Sequence, residues 1–172
     1  MANLPIIIFP NPVLKKRASE VDSITPEILK LLSDMTETMY EAPGIGLAAN
    51  QVGQLVRAIV IDVDDPEDTE EEKYGLLKLL NPEIISHSGT VDSEEGCLSI
   101  PEVRETIQRH EIVTVQATNE LGQVIEITAD GMMSRCLQHE IDHLDGVLFI
   151  DHLTTLRREF VRKQIQKLAK PL

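Results

Sequence analysis

The sequence predicts an α+β fold in which antiparallel strands pack around a helix that carries two histidines. A helical pattern lies near the N-terminus, short β-branched segments fill the middle of the chain, and two further helical patterns follow. Helices and strands that are segregated along a chain in this way favour antiparallel sheets over alternating βαβ units. The chain has 172 residues, and we expect one domain over residues 1–172.

The first helix is predicted to begin near Thr25 and to run to about Tyr40. Thr25 supplies an N-cap hydroxyl, Pro26 suits the first helical position, and Glu27 places an acid in the first turn. Apolar residues follow at helical spacing, namely Ile28, Leu31, Leu32, Met35 and Met39. These methionines are expected in the core, and the preceding residues are expected to be extended with one short helical turn.

Residues 44–51 (GIGLAANQ) have little side-chain bulk, which lets the backbone approach a ligand or another strand closely. Since no helix with basic or hydroxyl residues follows, a phosphate-binding loop is not expected. Five segments are then predicted as strands, at residues 55–63, 76–85, 103–108, 111–118 and 123–128.

Turn residues shape these strands. Asn81-Pro82 lies inside the second segment and is expected to bend or interrupt it. Gly89-Thr90 is expected to turn the chain, and residues 119–122 (NELG) are expected to join the last two strands in a hairpin.

Two helices are predicted to close the chain. The first runs from about Asp130 to Leu144, with Gly146 placed to stop it. The second covers residues 153–169. Its apolar stripe is predicted to consist of Leu156, Phe160, Val161, Ile165 and Leu168.

The net charge of −13 argues against a general nucleic-acid binder, so no DNA partner is expected. No stretch approaches the length of a membrane span, and the N-terminus does not resemble a secretory signal. We therefore expect a cytoplasmic protein without a membrane partner.

The charge is unevenly distributed. Residues 62–72 contain eight acids in eleven positions, which is typical of a solvated loop. Residues 151–172 contain six basic residues and two acidic ones, so this tail is positive on an acidic chain. Such a tail favours docking on an acidic surface, or equally a packed helix with a solvated basic face.

The chemistry is expected to centre on residues 138–143 (QHEIDH). His139 and His143 are four residues apart and lie on one face of a helix, which is the spacing of two imidazole ligands to one metal ion. Glu140 is then placed to act as a general base on water at the metal. A catalytic site of this type needs a third protein ligand. Of the two cysteines, Cys97 is a candidate because it lies in a polar stretch, although a small buried residue is the ordinary alternative.

Three segments together resemble the peptide deformylases: residues 44–51 (GIGLAANQ), 95–99 (EGCLS) and 138–143 (QHEIDH) match that family's three motifs in order. The order of predicted elements also fits over nearly the whole chain. The resemblance implies a metal-dependent hydrolase that removes the N-terminal formyl group from formyl-methionyl nascent polypeptides and releases formate.

The resemblance also implies a ligand set and catalytic groups. Cys97, His139 and His143 would bind one divalent metal ion, with water in the fourth position. The ion would be Fe²⁺ in the cell, and Zn²⁺, Ni²⁺ or Co²⁺ would be able to replace it. The side-chain amide of Gln51 and the backbone N–H of Leu98 would donate to the negative oxygen of the intermediate, and Glu140 would transfer the proton.

The substrate is expected to lie extended beside residues 44–46 and to pair with them as an added strand. By resemblance, its methionine side chain enters a pocket near Ile45, Met132, Cys136 and the ring of His139, so Cys136 is a pocket wall and not a ligand. Within this segment, Gly44 and Gly46 are the glycines expected to bind the substrate.

Some relatives line this pocket with apolar residues at two positions where this chain has Ser93 and Arg135. These two residues predict a shallower pocket or a more polar mouth. Two arginines follow the cysteine motif. Arg109 is predicted to pair with Glu95, and Arg104 is predicted to lie near the downstream backbone of the substrate, the alternative being two exposed strand arginines.

Two rival functions are a zincin-type peptidase and an inactive relative kept as a metal-binding or ribosome-associated protein. A zincin takes its third ligand from downstream of the helix, where the candidates Asp145, Asp151, His152 and Glu159 form no ligand pattern. The residues needed for deformylation are all present, which disfavours the inactive relative. Because its charge is opposite to that of the rest of the chain, the basic C-terminal helix is a candidate for docking on the ribosome.

Overall fold

The computed structural model describes residues 3–67, 69 and 74–169. Within these residues the chain forms three α-helices, which are α1 (Pro26–Glu41), α2 (Gly131–Leu144) and α3 (Thr155–Ala169). The strands are β1 (Gly46–Ala48), β2 (Ala58–Asp62), β3 (Leu76–Ser88), β4 (Val91–Cys97), β5 (Ile100–Arg109), β6 (Ile112–Asn119) and β7 (Val124–Ala129). Short 3-10 helices lie at Pro12–Lys15, Ala49–Val52 and Phe149–His152.

The predicted α+β architecture is confirmed. Five strands form one antiparallel sheet in the order β1-β2-β3-β6-β7, and β4 pairs with β5 in a separate antiparallel hairpin. Helix α2 contacts all five strands of the larger sheet. The helix with the two histidines therefore lies at the centre of the strands, as the sequence predicts.

Strand β2 is apolar over residues 58–61 because both of its faces are covered. Ala58 and Val60 pack with α1, whereas Ile59 and Ile61 pack with α2. Alternate residues of a strand point to opposite faces, so the two helices share one strand between them. Met35 and Met39 lie in the α1 cluster, which confirms their predicted place in the core.

The predicted helix ends are also found. The Thr25 hydroxyl accepts a hydrogen bond from the Ile28 N–H at 3.3 Å and caps α1. Gly146 follows α2 with φ of +75°, a left-handed conformation that glycine adopts without strain. These caps fix the ends of the two helices that sandwich the sheet.

Strand β3 is bent at Asn81-Pro82, as predicted. Its pairing with β6 shifts register between Leu80 and Glu83, and Asn81 has φ of +50°. The Asn81 side-chain amide holds this bend in place, because it bonds to both the N–H and the carbonyl of Val21 at 2.8 Å.

Strand β4 was not predicted, because its acids, serine and glycine have low β propensity. Pairing with β5 overrides that propensity, and a turn at Leu98-Ser99 joins the two strands. Residues 93, 95 and 97 share one face of β4, since side chains alternate along a strand. This hairpin brings the cysteine motif to α2.

The predicted apolar stripe of the last helix is wrong in part. Val161 and Ile165 are buried, but Leu156 is 84% exposed, Phe160 57% and Leu168 51%. At about 100° per residue, Leu156 and Phe160 lie on a different face from Val161 and Ile165, and the helix buries only one face.

Part of the predicted acidic loop lies outside the described residues, namely residues 68 and 70–72. In the part of the chain that is described, none of the helices is long and apolar enough to span a bilayer.

Candidate metal centre and active site

Three candidate metal ligands, Cys97, His139 and His143, meet beside α2 and form the ligand cluster. The two imidazoles lie one turn apart on the helix, and their Nε2 atoms are 3.3 Å apart. The Cys97 Sγ at the end of β4 lies 3.3 Å from the His143 Nε2. Among the residues that the structure describes, these three are the one His, Cys, Asp or Glu group close enough to hold a metal ion.

The spacing of this cluster fits a tetrahedral ion. Bonds of about 2.0–2.1 Å to nitrogen and about 2.3 Å to sulfur give ligand separations of roughly 3.3–3.6 Å at tetrahedral angles. The two separations from the His143 Nε2, to the His139 Nε2 and to the Cys97 Sγ, are both 3.3 Å and lie in that range. A thiolate and two imidazoles are also a donor set that binds borderline divalent metals.

Glu95 fixes the orientation of His139. A Glu95 carboxylate oxygen lies 2.9 Å from the His139 Nδ1, which leaves Nε2 directed at the cluster. Arg109 donates twice to the same carboxylate, at 2.8 and 2.9 Å, as predicted. Burial alone would raise the pKa of Glu95, but the hydrogen bonds from Arg109 and His139 outweigh it and hold that pKa well below its usual range.

Glu140 is buried next to the cluster. Its Oε1 makes no hydrogen bond with any residue that the structure describes. Burial raises the pKa of Glu140 to about 7, although the nearby His139 opposes that shift. A carboxylate with a pKa near neutrality and a free oxygen is suited to accept and return a proton.

The environments of the two histidines differ. Burial lowers the pKa of His143 well below its ordinary value, and the neighbouring His139 lowers it further. Burial also opposes protonation of His139, but its hydrogen bonds to Cys97 and Glu95 raise the pKa overall. A neutral His143 is the form that binds a metal ion.

Gln51 is held with its amide NH₂ toward Cys97. The backbone N–H of Ala48 can only donate, and it bonds to the Gln51 Oε1 at 3.0 Å. The Gln51 Nε2 therefore faces the other way, 3.1 Å from the Ser99 Oγ and 3.5 Å from the Cys97 Sγ. Leu98 lies in the turn that follows the cysteine.

A cleft of about 760 Å³ opens onto this cluster. The residues predicted to bind substrate all line it, namely Gly44, Ile45, Gly46, Arg104, Met132 and Cys136. Arg104 lies at the exposed rim, where it pairs with Glu94 at 3.1 Å. Cys136 forms part of the cleft wall and lies outside the ligand cluster. Burial raises the pKa of its thiol well above the usual value.

Both residues that depart from the apolar pocket pattern line the same cleft. The Ser93 hydroxyl donates to Glu95 at 2.7 Å, so its polar atom is satisfied within the protein. Arg135 is half-buried one turn before His139. The more polar pocket mouth remains a prediction.

Replacing Gly46 with alanine is expected to lower kcat/KM by at least about 10-fold. An added Cβ would lie 2.6 Å from the Glu140 Oε2 and 3.0 Å from the Cys136 Sγ, so the carboxylate must move. Gly44→Ala is the matched control, because its Cβ would meet the movable end of the Leu98 side chain. Steady-state kinetics of the two variants would contradict this expectation if Gly44→Ala proved the more damaging.

Asp142 and His152 make contacts that were not predicted from the sequence. Asp142 accepts from Arg109 at 2.6 Å, and the His152 Nε2 lies 2.8 Å from the same carboxylate oxygen. His152 is thus engaged away from the ligand cluster, which disfavours the zincin arrangement. The one available signal was the position of Asp142 between the two histidines of the motif.

Comparison with known proteins gives a consistent result. A family model described as polypeptide deformylase matches residues 3–159. The chain is 45% identical over 170 residues to a peptide deformylase of Syntrophobacter fumaroxidans, covering 99% of this chain and 98% of that protein. It is 47% identical over 166 residues to one of Thermodesulfovibrio yellowstonii, covering 96% and 98%.

The solved structures agree with these sequence matches. A crystal structure of peptide deformylase from Ehrlichia chaffeensis in complex with actinonin matches with a TM-score of 0.92 and 37% identity. The match covers 99% of this chain and all of that one (100%). The chain therefore belongs to the polypeptide deformylase family, and it is a metal-dependent hydrolase that removes the formyl group from the N-terminus of nascent peptides.

Proposed function

We propose that Cys97, His139 and His143 hold one divalent metal ion, and that Glu140 carries the proton transfers of deformylation. The observation that carries this proposal is the meeting of the three ligand atoms beside the unpaired Glu140 oxygen in one cleft. When bound, the ion lowers the pKa of water and polarises the formyl oxygen. Fe²⁺ is the proposed ion in the cell, with Zn²⁺, Ni²⁺ or Co²⁺ as substitutes, and the mixed sulfur and nitrogen ligands support a metal of this class.

The substrate is proposed to lie along β1. This strand is at the edge of the larger sheet, so a peptide can pair with it as an added strand. The formyl group then lies at the cluster, and the methionine side chain points to the cleft wall formed by Ile45, Met132 and Cys136. The rim residue Arg104 is placed to contact the downstream peptide.

The reaction follows from these positions. Glu140 accepts a proton from the attacking water, whose oxygen forms a bond with the formyl carbon. The Gln51 amide and the Leu98 N–H donate to the oxygen that becomes negative in the tetrahedral intermediate. Glu140 then gives the proton to the peptide nitrogen, the C–N bond breaks, and formate leaves with the peptide carrying a free amine.

The proposed setting is the cytoplasm, with the chain acting as one catalytic domain over residues 1–172. Ribosome docking through α3 is proposed because this helix exposes Leu156 and Phe160 beside basic side chains. The Arg157 guanidinium lies over the Phe160 ring, 4.6 Å from its centroid, so the exposed face combines charge with a flat apolar surface.

The proposed function is tested by anaerobic formate release from a formyl-methionyl tripeptide, using iron-loaded protein. We expect formate to appear while the internal peptide bonds remain intact. Cleavage of an internal bond would favour the zincin alternative. Absence of both products from protein that contains one metal ion per chain would refute the catalytic proposal.

A further inference from the structure

A line of charge-assisted hydrogen bonds connects a second cleft to His139. This cleft, of about 360 Å³, is lined by Arg109, Asp142 and His152 among others. His152 contacts Asp142 at 2.8 Å, and Asp142 accepts from Arg109 at 2.6 Å. Arg109 donates two hydrogen bonds to the Glu95 carboxylate, and Glu95 contacts the His139 Nδ1 at 2.9 Å.

The two residues of this line that are nearer the second cleft are more exposed than the two that follow them. The exposed fraction of the side chain is 38% for His152 and 25% for Asp142, but 3% for Arg109 and 8% for Glu95. A buried guanidinium needs partners for its donors, and the carboxylates of Glu95 and Asp142 supply them on either side. The position of the Glu95 carboxylate therefore depends on what holds Arg109 from behind.

His152 completes the outer end of this arrangement. The Asp142 Oδ2 accepts from both Arg109 and His152, and the two donors lie 3.4 Å apart across it. Without the imidazole, the Asp142 carboxylate keeps one protein partner in this direction and faces the second cleft. The carboxylate is then free to rotate, and Arg109 loses part of the support that keeps its guanidinium aligned with the Glu95 carboxylate.

We propose that His152 is a positioning residue, which acts through Asp142, Arg109 and Glu95 to fix the orientation of the His139 ring as a metal ligand. This inference rests on the proposed metal ligation by Cys97, His139 and His143. His152 itself touches neither the substrate cleft nor the ligand cluster in the described structure. It sets how firmly the ion is held, and through that the activity.

The test uses Co²⁺-loaded protein and measures the visible absorption of the ion and its rate of loss to a chelator. His152→Ala is expected to speed cobalt loss by about 3- to 10-fold and to shift the absorption bands, since changes to groups that orient a ligand commonly cost about 10- to 100-fold and this one acts at a distance. His152→Gln, whose amide nitrogen can donate to Asp142, is expected to restore both properties to within about 2-fold of wild type.

Lys15→Ala is the matched control. Lys15 pairs with Asp151, the neighbour of His152 on the same 3-10 helix, and this pair does not reach the cluster. Its cobalt loss should equal that of wild type. In His152→Ala combined with Asp142→Asn, the effects should be far from additive, because both changes act on one path.

Equal rates of cobalt loss in wild type and His152→Ala would overturn this inference, and so would a drop in Tm without a change in cobalt loss or absorption. Full additivity with Asp142→Asn would overturn it as well. Failure of wild type to bind one Co²⁺ per chain is a separate outcome, which would overturn the proposed function itself.

Discussion

Replacing Glu140 with glutamine is expected to lower kcat for formate release by about 10³-fold while leaving metal content near one ion per chain. The amide keeps the shape of the side chain but cannot accept the proton of the attacking water, and general acid–base catalysis commonly contributes 10²- to 10⁴-fold. Glu140 lies outside the ligand cluster, so the variant should still hold its ion. Metal analysis together with steady-state kinetics checks both statements.

The same substitution is expected to stabilise the metal-free protein at pH 8. Burial raises the pKa of Glu140 from 4.5 to about 7, so the folded state binds this proton more tightly than the unfolded state does. The free energy of unfolding therefore falls as the pH rises from about 4.5 through 7, because the buried carboxylate ionises. Glutamine has no proton to lose and should be more stable than wild type at pH 8 by roughly 1–3 kcal/mol.

Urea denaturation in the presence of a chelator measures this difference. The gap between Glu140→Gln and wild type should be small at pH 5, where the folded wild type keeps its proton, and should widen toward pH 8. A gap that is the same at both pH values would contradict the role of Glu140 ionisation. A variant with normal activity would exclude Glu140 as the base.

Replacing Cys97 with alanine is expected to abolish measurable formate release and to remove metal-dependent stabilisation. The variant loses one of three ligands and the negative charge of the thiolate. A ligand that binds only the folded state stabilises it by RT ln(1 + [L]/Kd), or about 4 kcal/mol at 1,000 times Kd. Wild type should therefore melt at a higher temperature with metal than without, and the variant should not.

Cys136→Ala is the matched control, because Cys136 is the other free cysteine and lies outside the ligand cluster. Its metal stoichiometry and metal-dependent rise in Tm should resemble those of wild type. Thermal melts with and without metal decide the matter. A Cys97→Ala variant that still binds one ion per chain would contradict the proposed ligand set.

Local patterns in the sequence anticipated much of the site. The spacing of His139 and His143 determines their common face, because helix geometry brings residues four apart together. The N-cap at Thr25 and the stop at Gly146 also depend on neighbouring residues alone, and both were found where predicted. Cys97, by contrast, was one open candidate that only the resemblance of its motif selected, since no local rule joins a strand end to a helix more than forty residues away.

The errors share one cause. The segment that forms β4 has few strand-favouring residues, and it becomes a strand because β5 is present to pair with it. The stripe on α3 was assigned from apolarity, but only Val161 and Ile165 face a partner. In both places, packing between distant segments decides what local composition leaves open.

The sequence by itself determined the fold class, the family motifs and the candidate residues His139, Glu140 and His143, since these are carried by residue type and short-range spacing. Only the tertiary structure decided which of two apolar faces α3 buries, that Ala48 orients the Gln51 amide, and that Asp142 also holds Arg109. A hydrogen bond between distant residues depends on the relative placement of whole strands and helices, and the free energy that fixes that placement comes from burial summed over the core.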